Sequence, residues 1–478
     1  MMETNITEEA IQAEVAGIFE LQQRHAPKLN RSASGERIQR LRRLEEYFLN
    51  EAKMEGLFQA MHKDFRKPKA EVLISEIAVV LQHLRHTRKH LRRWMQPRRA
   101  STPLMLLGVS SSVQYEAKGT CLILSPWNYP FNLTFSPLVD ALAAGNTVII
   151  KPSEISSHTS RFIRKVVEDL FPPEEVAVVE GDVHAAQALL ELPFDHIFFT
   201  GSPQVGKIVM AAAAKNLTSV TLELGGKSPA IIDDSADINA QALRLAWGKG
   251  LNKGQTCIAP DYVLIQESKQ EAFLEAYRKA MRALYPADDL SQSPDYARII
   301  NRRNFQRLRR LYEDALSKGA REALGGVWNE NDLFIPPTVL VGVDPEMQIM
   351  EEEIFGPLLP VITFRHVQEA VEIINRQPKP LTLYICSKDR KFTEFVLEHT
   401  SSGSVVVNDF MLSFGNPELG FGGVNNSGIG RYMGHAGFLE FSNPKSILRR
   451  RFFDFSIAYP PYTDAKLKLL RFVGRWLA

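Results

Sequence analysis

Cysteine is scarce in this chain. The three present, Cys121, Cys257 and Cys386, are odd in number and far apart, so they make neither a disulfide framework nor a metal-ligand cluster. A reduced compartment is the expectation. Charge of one sign is also lacking: a formal net charge of +2 over 478 residues gives no general case for a nucleic-acid or acidic partner. No uninterrupted apolar run is long enough to span a bilayer. The N-terminus, MMETNITEEAIQAEVAGIF, carries acids where a signal peptide needs bases and lacks an apolar stretch, so a cytoplasmic location is expected. Low-complexity segments and short-period repeats are not evident.

What is present reads as an ordinary globular protein, 45% hydrophobic and 23% charged, long enough for two or three domains. The first part looks helical, with Ile38, Leu41, Leu44 and Phe48 close to the helical period. A basic helix follows, LQHLRHTRKHLRRWMQPRR, in which Leu84, Leu91 and Trp94 make a candidate buried stripe. His83, His86 and His90 share its helical spacing. Five cations stand nearby (Arg85, Arg88, Lys89, Arg92 and Arg93), and no carboxylate or thiol joins the histidines in the sequence. A solvated face is therefore expected there, and no metal site. From Gly119, apolar β-branched runs alternate with helical segments: GTCLILSPW, NTVIIKPS, VAVVEG and HIFFTGS. That alternation predicts a parallel sheet covered on both faces. A second series, YVLIQ, VLVGV, LPVITF, LTLYICS and GSVVVND, predicts a second α/β domain. At the end, KLKLLRFVGRWLA sets Leu467, Leu470, Val473 and Leu477 against Lys466, Lys468, Arg471 and Arg475. Such a basic amphipathic helix suits either an anionic membrane surface or docking on the protein itself.

Several short stretches carry chemistry. FFTGSPQVGKIVM reads as a strand, a glycine turn and a helix start. Gly201, Gly206 and Lys207 fit a phosphate-cradling loop, but Ile208 stands where a magnesium-binding hydroxyl belongs. Nucleoside triphosphate chemistry is thus disfavoured, whereas a dinucleotide pyrophosphate needs only the free amides and dipole of a helix N-terminus. In GKGLNKGQTCIAPDYV, Cys257 follows a glycine-containing turn and precedes a strand. It reads as either a presented nucleophile or inert packing. Glu223 is separated by one residue from the Gly225–Gly226 pair, where backbone approaches a ligand closely. It is a candidate general base or a paired surface glutamate. Asn128 follows the first apolar strand, where ligands bind in parallel sheets. Its amide suits an oxyanion or an ordinary turn.

Taken in order, SPWNYP, VIIKPSE, FFTGSPQVGK, TLELGGKSP, GQTCIAPDYV, EEEIFGPLLPV and FGGVNNSGIG resemble the aldehyde dehydrogenase superfamily. PWNYP, CIAPDYV and the comparatively short chain are similar to its class 3 branch, which includes fatty aldehyde dehydrogenases. The resemblance implies a Cys257 nucleophile, a Glu223 base and an Asn128 oxyanion donor. It implies a cofactor site at Trp127, Lys151, Glu154, Gly201, Ser202, Gly206, Leu224, Glu353 and Phe355. Tyr129 and Phe421 would border the substrate. The cofactor is expected to be NAD, because an acid beside the adenine-side ribose repels a 2′-phosphate; class 3 relatives often accept NADP too. Departures occur at Gly420, Asn425 and Met433, near the family's substrate tunnel, and bear on specificity.

The architecture implied is two parallel-sheet α/β domains with a small bridging β element. The expected divisions are a dinucleotide-binding domain (1–101 and 122–226), a catalytic domain (227–442), bridging strands (102–121 and 443–457) and a C-terminal tail (458–478). Edge pairing across a two-fold axis would make a homodimer. The expected reaction is oxidation of a medium- or long-chain aliphatic aldehyde to its acid, with aromatic or polyene aldehydes as the alternative within the class. A non-catalytic binding protein on the same fold and a cysteine esterase are the alternatives of other classes.

Overall fold

The computed structural model describes residues 8–103, 106–452 and 459–477. Its apolar β-branched runs assemble into two sheets. The first has six strands in the order Gly428–Ile429, Ser219–Leu224, His196–Gly201, Thr120–Leu124, Thr147–Lys151 and Val176–Val178. All neighbours are parallel except the short first strand, in which Gly428 pairs with Glu223. The chain builds outward from Thr120–Leu124 to Val176–Val178, then returns to place His196–Gly201 on the other side of Thr120–Leu124. That reversal opens a crevice at the carboxyl ends of the two central strands. The loop bearing Trp127 and Asn128 and the turn Gly201–Ser202 both stand there.

The second sheet has seven strands: Arg321–Leu324, Thr338–Val341, Leu358–Phe364, Tyr262–Gln266, Pro229–Ile232, Thr382–Cys386 and Ser404–Val407. Only Arg321–Leu324 runs antiparallel. Strands covered on both faces must be apolar throughout, and Ile231, Leu264, Leu383 and Ile385 are fully buried. Cys121 and Cys386 sit buried in the first and second sheets and serve as packing.

The third sheet joins Arg98–Ala100, Val109–Ala117 and Ser442–Arg450 in antiparallel pairs. Its strands are shorter than the expected bridging spans. Thr120 and Cys121 belong instead to the first sheet, where Thr120 pairs with Thr147, because Gly119, at φ +141°, breaks the strand direction. Residues 453–457 of the expected bridge lie outside the described residues. The segment expected to close the catalytic unit also returns to the first sheet through Gly428–Ile429.

Of the four N-terminal helical segments, Glu8–Asn30 packs on the first sheet and the others pack on its covering helices Asn132–Ala144 and Ser157–Leu170. In the last of them, Lys69–Val72 passes through a wide turn, Leu73–Ile77, before resuming as Ala78–Trp94. Such π-type insertions rotate the side chains that follow them. Here Glu76 accepts from Asn132 N at 2.8 Å, while Asn132 Nδ2 donates to Ser75 O at 3.1 Å. The helix is thereby fastened to the loop that follows the first central strand. Leu84, Leu91 and Trp94 face the core.

The last helix, Asp464–Leu477, leaves Leu467, Leu469 and Phe472 between 41% and 61% exposed. Among the described residues, no helix is long and apolar enough to cross a membrane.

Candidate active site

Cys257 stands on a turn that enters the second sheet from the helix Ile238–Gly250. Asn252, Lys253 and Gly254 are all left-handed, at φ +48°, +58° and +71°, a conformation costly for the two non-glycine residues. Buried bonds hold it. Asn252 N donates to Glu71 Oε2 at 3.0 Å, and Asn252 Nδ2 donates to Asn128 O at 3.0 Å. Asn128 Nδ2 donates to Gln255 O at 3.1 Å, and the Tyr129 and Thr256 hydroxyls are 2.8 Å apart. Gln255 in turn donates to Arg298 O and accepts from Ile300 N. The Asn128 loop and the Cys257 turn, distant in sequence, are thus one hydrogen-bonded unit.

A cleft of about 450 Å³ runs between the two sheets. Of the sequence-derived residues, Trp127, Asn128, Gly201, Ser202, Glu223, Leu224, Cys257, Glu353 and Phe355 line it. Ser202 caps the helix Pro203–Ala214, its Oγ accepting from Val205 N, so the free amides of that helix open on the cleft. Gly206 lies against Leu224: a Cβ there would fall 2.8 Å from Leu224 Cδ2, so only glycine lets the helix approach the strand. The Trp127 and Phe355 rings meet edge-on at 5.3 Å. Lys151 and Glu154 are not in this cleft. Lys151 Nζ bonds Glu154 Oε2 at 2.7 Å, and Glu154 borders a separate recess of about 140 Å³ with Ser153, Arg161 and Glu180.

A second, narrower recess of about 40 Å³ lies on the other side of the thiol. Tyr129 and Phe421 line it with Phe414, Tyr432 and Met433. Cys257 and Leu133 border both spaces. The thiol therefore borders both the large cleft and the apolar recess.

The electrostatics are those of a desolvated site. Burial pushes the Cys257 thiol up, and the nearby Glu353 and Glu223 carboxylates add to the shift. Burial also raises Glu223 well above the usual carboxylate range; Arg431 opposes this and Glu440 adds to it. Glu223 is 3% exposed, and neither carboxylate oxygen has a hydrogen-bond partner among the described residues. An orphaned buried carboxyl is expensive and marks a group whose partner arrives with ligand or water. Burial, then Asp261, pushes the Glu353 carboxyl up to about 8.

Sequence reasoning missed the residues that hold Glu353 in place. Lys227 Nζ donates to Asp261 Oδ2, to Ile349 O at 2.8 Å and to Glu352 O at 2.9 Å. Asp261 Oδ1 accepts from Ile354 N at 3.0 Å. Arg307 clamps the same loop through Glu353 O and Ile354 O. Lys227 and Asp261 lie inside GGKSP and APDYV, and a charge beside an apolar strand run was the available signal. Arg307 is one cation among many on the helix Arg302–Ser317 and carried none.

The basic helix departs from the expected solvated face. His83 is fully buried, its Nε2 lying 2.9 Å from Asp140 Oδ1 and 3.0 Å from Gly434 N. His86 and His90 are half-buried against the loop before Phe421, and that loop brings a carboxylate to them. Glu418 Oε1 is 3.4 Å from His86 Nε2. The pairing spans more than three hundred residues and has no local sequence pattern.

The cleft fits a dinucleotide on the protein's own chemistry. A capped helix N-terminus faces it, the buried Thr200 hydroxyl on its wall lacks a partner among the described residues, and a Cβ on Gly225 would collide with the Glu353 carboxylate. Comparison with known proteins agrees. The family model described as "Aldehyde dehydrogenase family" matches residues 4–447. The 4,4'-diaponeurosporen-aldehyde dehydrogenase of Staphylococcus aureus is 42% identical over 416 residues, 87% of this chain and 90% of its own. The "Aldehyde dehydrogenase, dimeric NADP-preferring" of Rattus norvegicus is 42% identical over 412 residues, 86% of this chain and 89% of its own. Among solved structures, the substrate-bound state of Staphylococcus aureus AldH is similar with a TM-score of 0.91 at 38% identity, covering 96% of this chain and 99% of that one.

Proposed function

This chain belongs to the aldehyde dehydrogenase family and is an NAD(P)-dependent aldehyde dehydrogenase; on that premise, we propose that it converts a medium- or long-chain aliphatic aldehyde to the free acid. The observation that carries the reading is the place of Cys257 at the border of the large cleft and the narrow apolar recess. An aldehyde carbon at the thiol would leave its apolar chain in the recess, whose narrowness favours a slim chain over a substituted ring. A polyene is equally slim. Polyene aldehydes are therefore the second reading, favoured by the 42% identity to the diaponeurosporen-aldehyde enzyme.

The Cys257 thiolate adds to the aldehyde carbon, forming a carbon–sulfur bond and a tetrahedral oxyanion. Because burial holds the resting thiol protonated, its proton must first pass to a base, and the raised Glu223 carboxylate stands nearest in role. One Asn128 N–H serves the Gln255 carbonyl; the other, with the Cys257 backbone N–H, is left for the oxyanion. Bound NAD(P) supplies the hydride acceptor. Once Glu223 has passed the thiol proton to solvent, it takes a second proton from the water that cleaves the Cys257 thioester, releasing acid and thiolate. In this scheme Trp127, Gly201, Ser202, Gly206, Leu224, Glu353 and Phe355 hold the cofactor. Glu154, which lines the neighbouring recess, would take its adenine-side ribose, with Lys151 holding that carboxylate.

The antiparallel Ser442–Arg450 strand ends its sheet, and we assign its open edge to pairing in a homodimer. The exposed apolar residues Leu467, Leu469 and Phe472, set among Lys466, Lys468 and Arg471, support peripheral contact with an anionic membrane surface.

Mixed with NAD and aldehydes of increasing length, the protein should form NADH with kcat/KM rising toward medium and long chains, and Cys257→Ala should abolish it. A preference for the shortest aldehydes would overturn the substrate assignment. Asn128→Ala should slow the chemical step by about 10²–10³-fold, read in single turnovers; an unchanged rate removes it from the oxyanion role. Glu223→Gln should give one burst of NADH followed by trapped acyl-enzyme, visible by mass spectrometry. The active base is the ionised form, so wild-type kcat should fall with decreasing pH at a value above the ordinary carboxylate range. Steady NADH release without acyl-enzyme would exclude Glu223 as the base. Deleting Lys466–Ala478 should cut binding to anionic vesicles while leaving a dimeric mass in light scattering. Vesicle binding unchanged by the deletion would dismiss the membrane role.

A further inference from the structure

The loop between Met411 and Phe421 carries Phe414 toward the apolar recess and ends on Phe421, which lines it too. It is irregular and is fastened to the basic helix at few points. One is Gln82, whose Nε2 donates to Gly415 O at 3.0 Å. One turn further along the same helix face stands His86, and one turn beyond that, His90. Their rings are 4.4 Å apart, and His86 Nε2 and His90 Nδ1 make no hydrogen bond among the described residues. Glu418 reaches them from the loop. One ligand atom from each of His86, His90 and Glu418 lies within 4.8 Å of the others.

We propose that His86, His90 and Glu418 form a zinc site that tethers this loop to the helix Ala78–Trp94. Two imidazoles at i and i+4 on one helix face chelate a single ion, and a carboxylate completes a three-ligand set with a fourth position for water. Tetrahedral zinc with bonds of about 2.0–2.1 Å sets its ligand atoms roughly 3.3 Å apart. The His86–Glu418 pair already stands at 3.4 Å, and rotation of the His90 ring closes the third side.

The neighbouring cations do not forbid this. Arg85 and Arg88 turn away to share Glu45, while Lys89, Arg92 and Arg93 point to solvent, where water and salt screen them.

The site does not depend on the aldehyde reaction and can be read without it. After chelator treatment, the full-length protein should bind Co2+ with the visible bands of a tetrahedral nitrogen–oxygen site and no thiolate-to-cobalt charge transfer, and Zn2+ should displace it. His90→Gln and Glu418→Gln should each weaken binding by at least about tenfold, with thermal unfolding of the metal-free variants checking that they fold. A thiolate band, or unchanged affinity in both variants, overturns the site. Zn2+ should also slow amide exchange across residues 413–420 in the wild type but not in Glu418→Gln. Binding without that protection refutes the tether. Glu418→Gln should still oxidise a short aldehyde, separating failure of this site from failure of the catalytic assignment.

Discussion

The site depends on one buried joint: the loop after the first central strand bonded to the turn that presents the thiol. Asn252 Nδ2 donates to the Asn128 carbonyl across it, and Asn128 Nδ2 donates in return to the carbonyl of Gln255. Backbone polar groups taken out of water must find partners, and here each loop supplies the other's. Two left-handed non-glycine residues sit in the turn, and that strain persists because the surrounding bonds fix it. The joint ties the turn that bears the thiol to the Asn128 loop, and Cys257 borders both the cleft and the apolar recess.

The same joint is braced from the N-terminal helices. Lys67 and Glu76 form a fully buried ion pair at 2.7 Å. Glu76 also accepts from Asn132 N, and the Lys67 ammonium lies 3.8 Å from the centre of the Tyr129 ring. Glu71 holds Asn252. A buried pair of this kind contributes little net stability, but removing either member leaves an uncompensated charge. The wide turn at Leu73–Ile77 places these groups, which is why a helix far from the reacting atoms matters to their geometry. Desolvation by the same packing raises both Cys257 and Glu223.

Much of the scaffold was legible in the chain. Doubly covered parallel strands must be apolar, so runs such as TVIIK and TLYIC announced themselves. Turn chemistry marked where they stop. The strand-to-helix turn at Gly201–Ser202 was visible for the same reason. The bridging strands were misjudged at their ends, since a half-exposed antiparallel ribbon has a weaker pattern and Gly119 shifts the boundary. The return of Gly428–Ile429 to the first sheet had no signal, because two residues are too few to show a period.

The sequence by itself determined which residue types were available and in what order. It supplied a thiol after a glycine turn, a glutamate before paired glycines, and an amide at a strand end. Local geometry depends on near neighbours, and a linear pattern records those. Only the tertiary structure decided that Lys227 and Asp261 anchor the Glu353 loop, that His83 is a buried partner of Asp140, and that Glu418 comes to rest beside His86. Each contact joins segments separated by long stretches of chain. Their energies arise from burial and from distances of a few ångströms, and no spacing along the sequence encodes them.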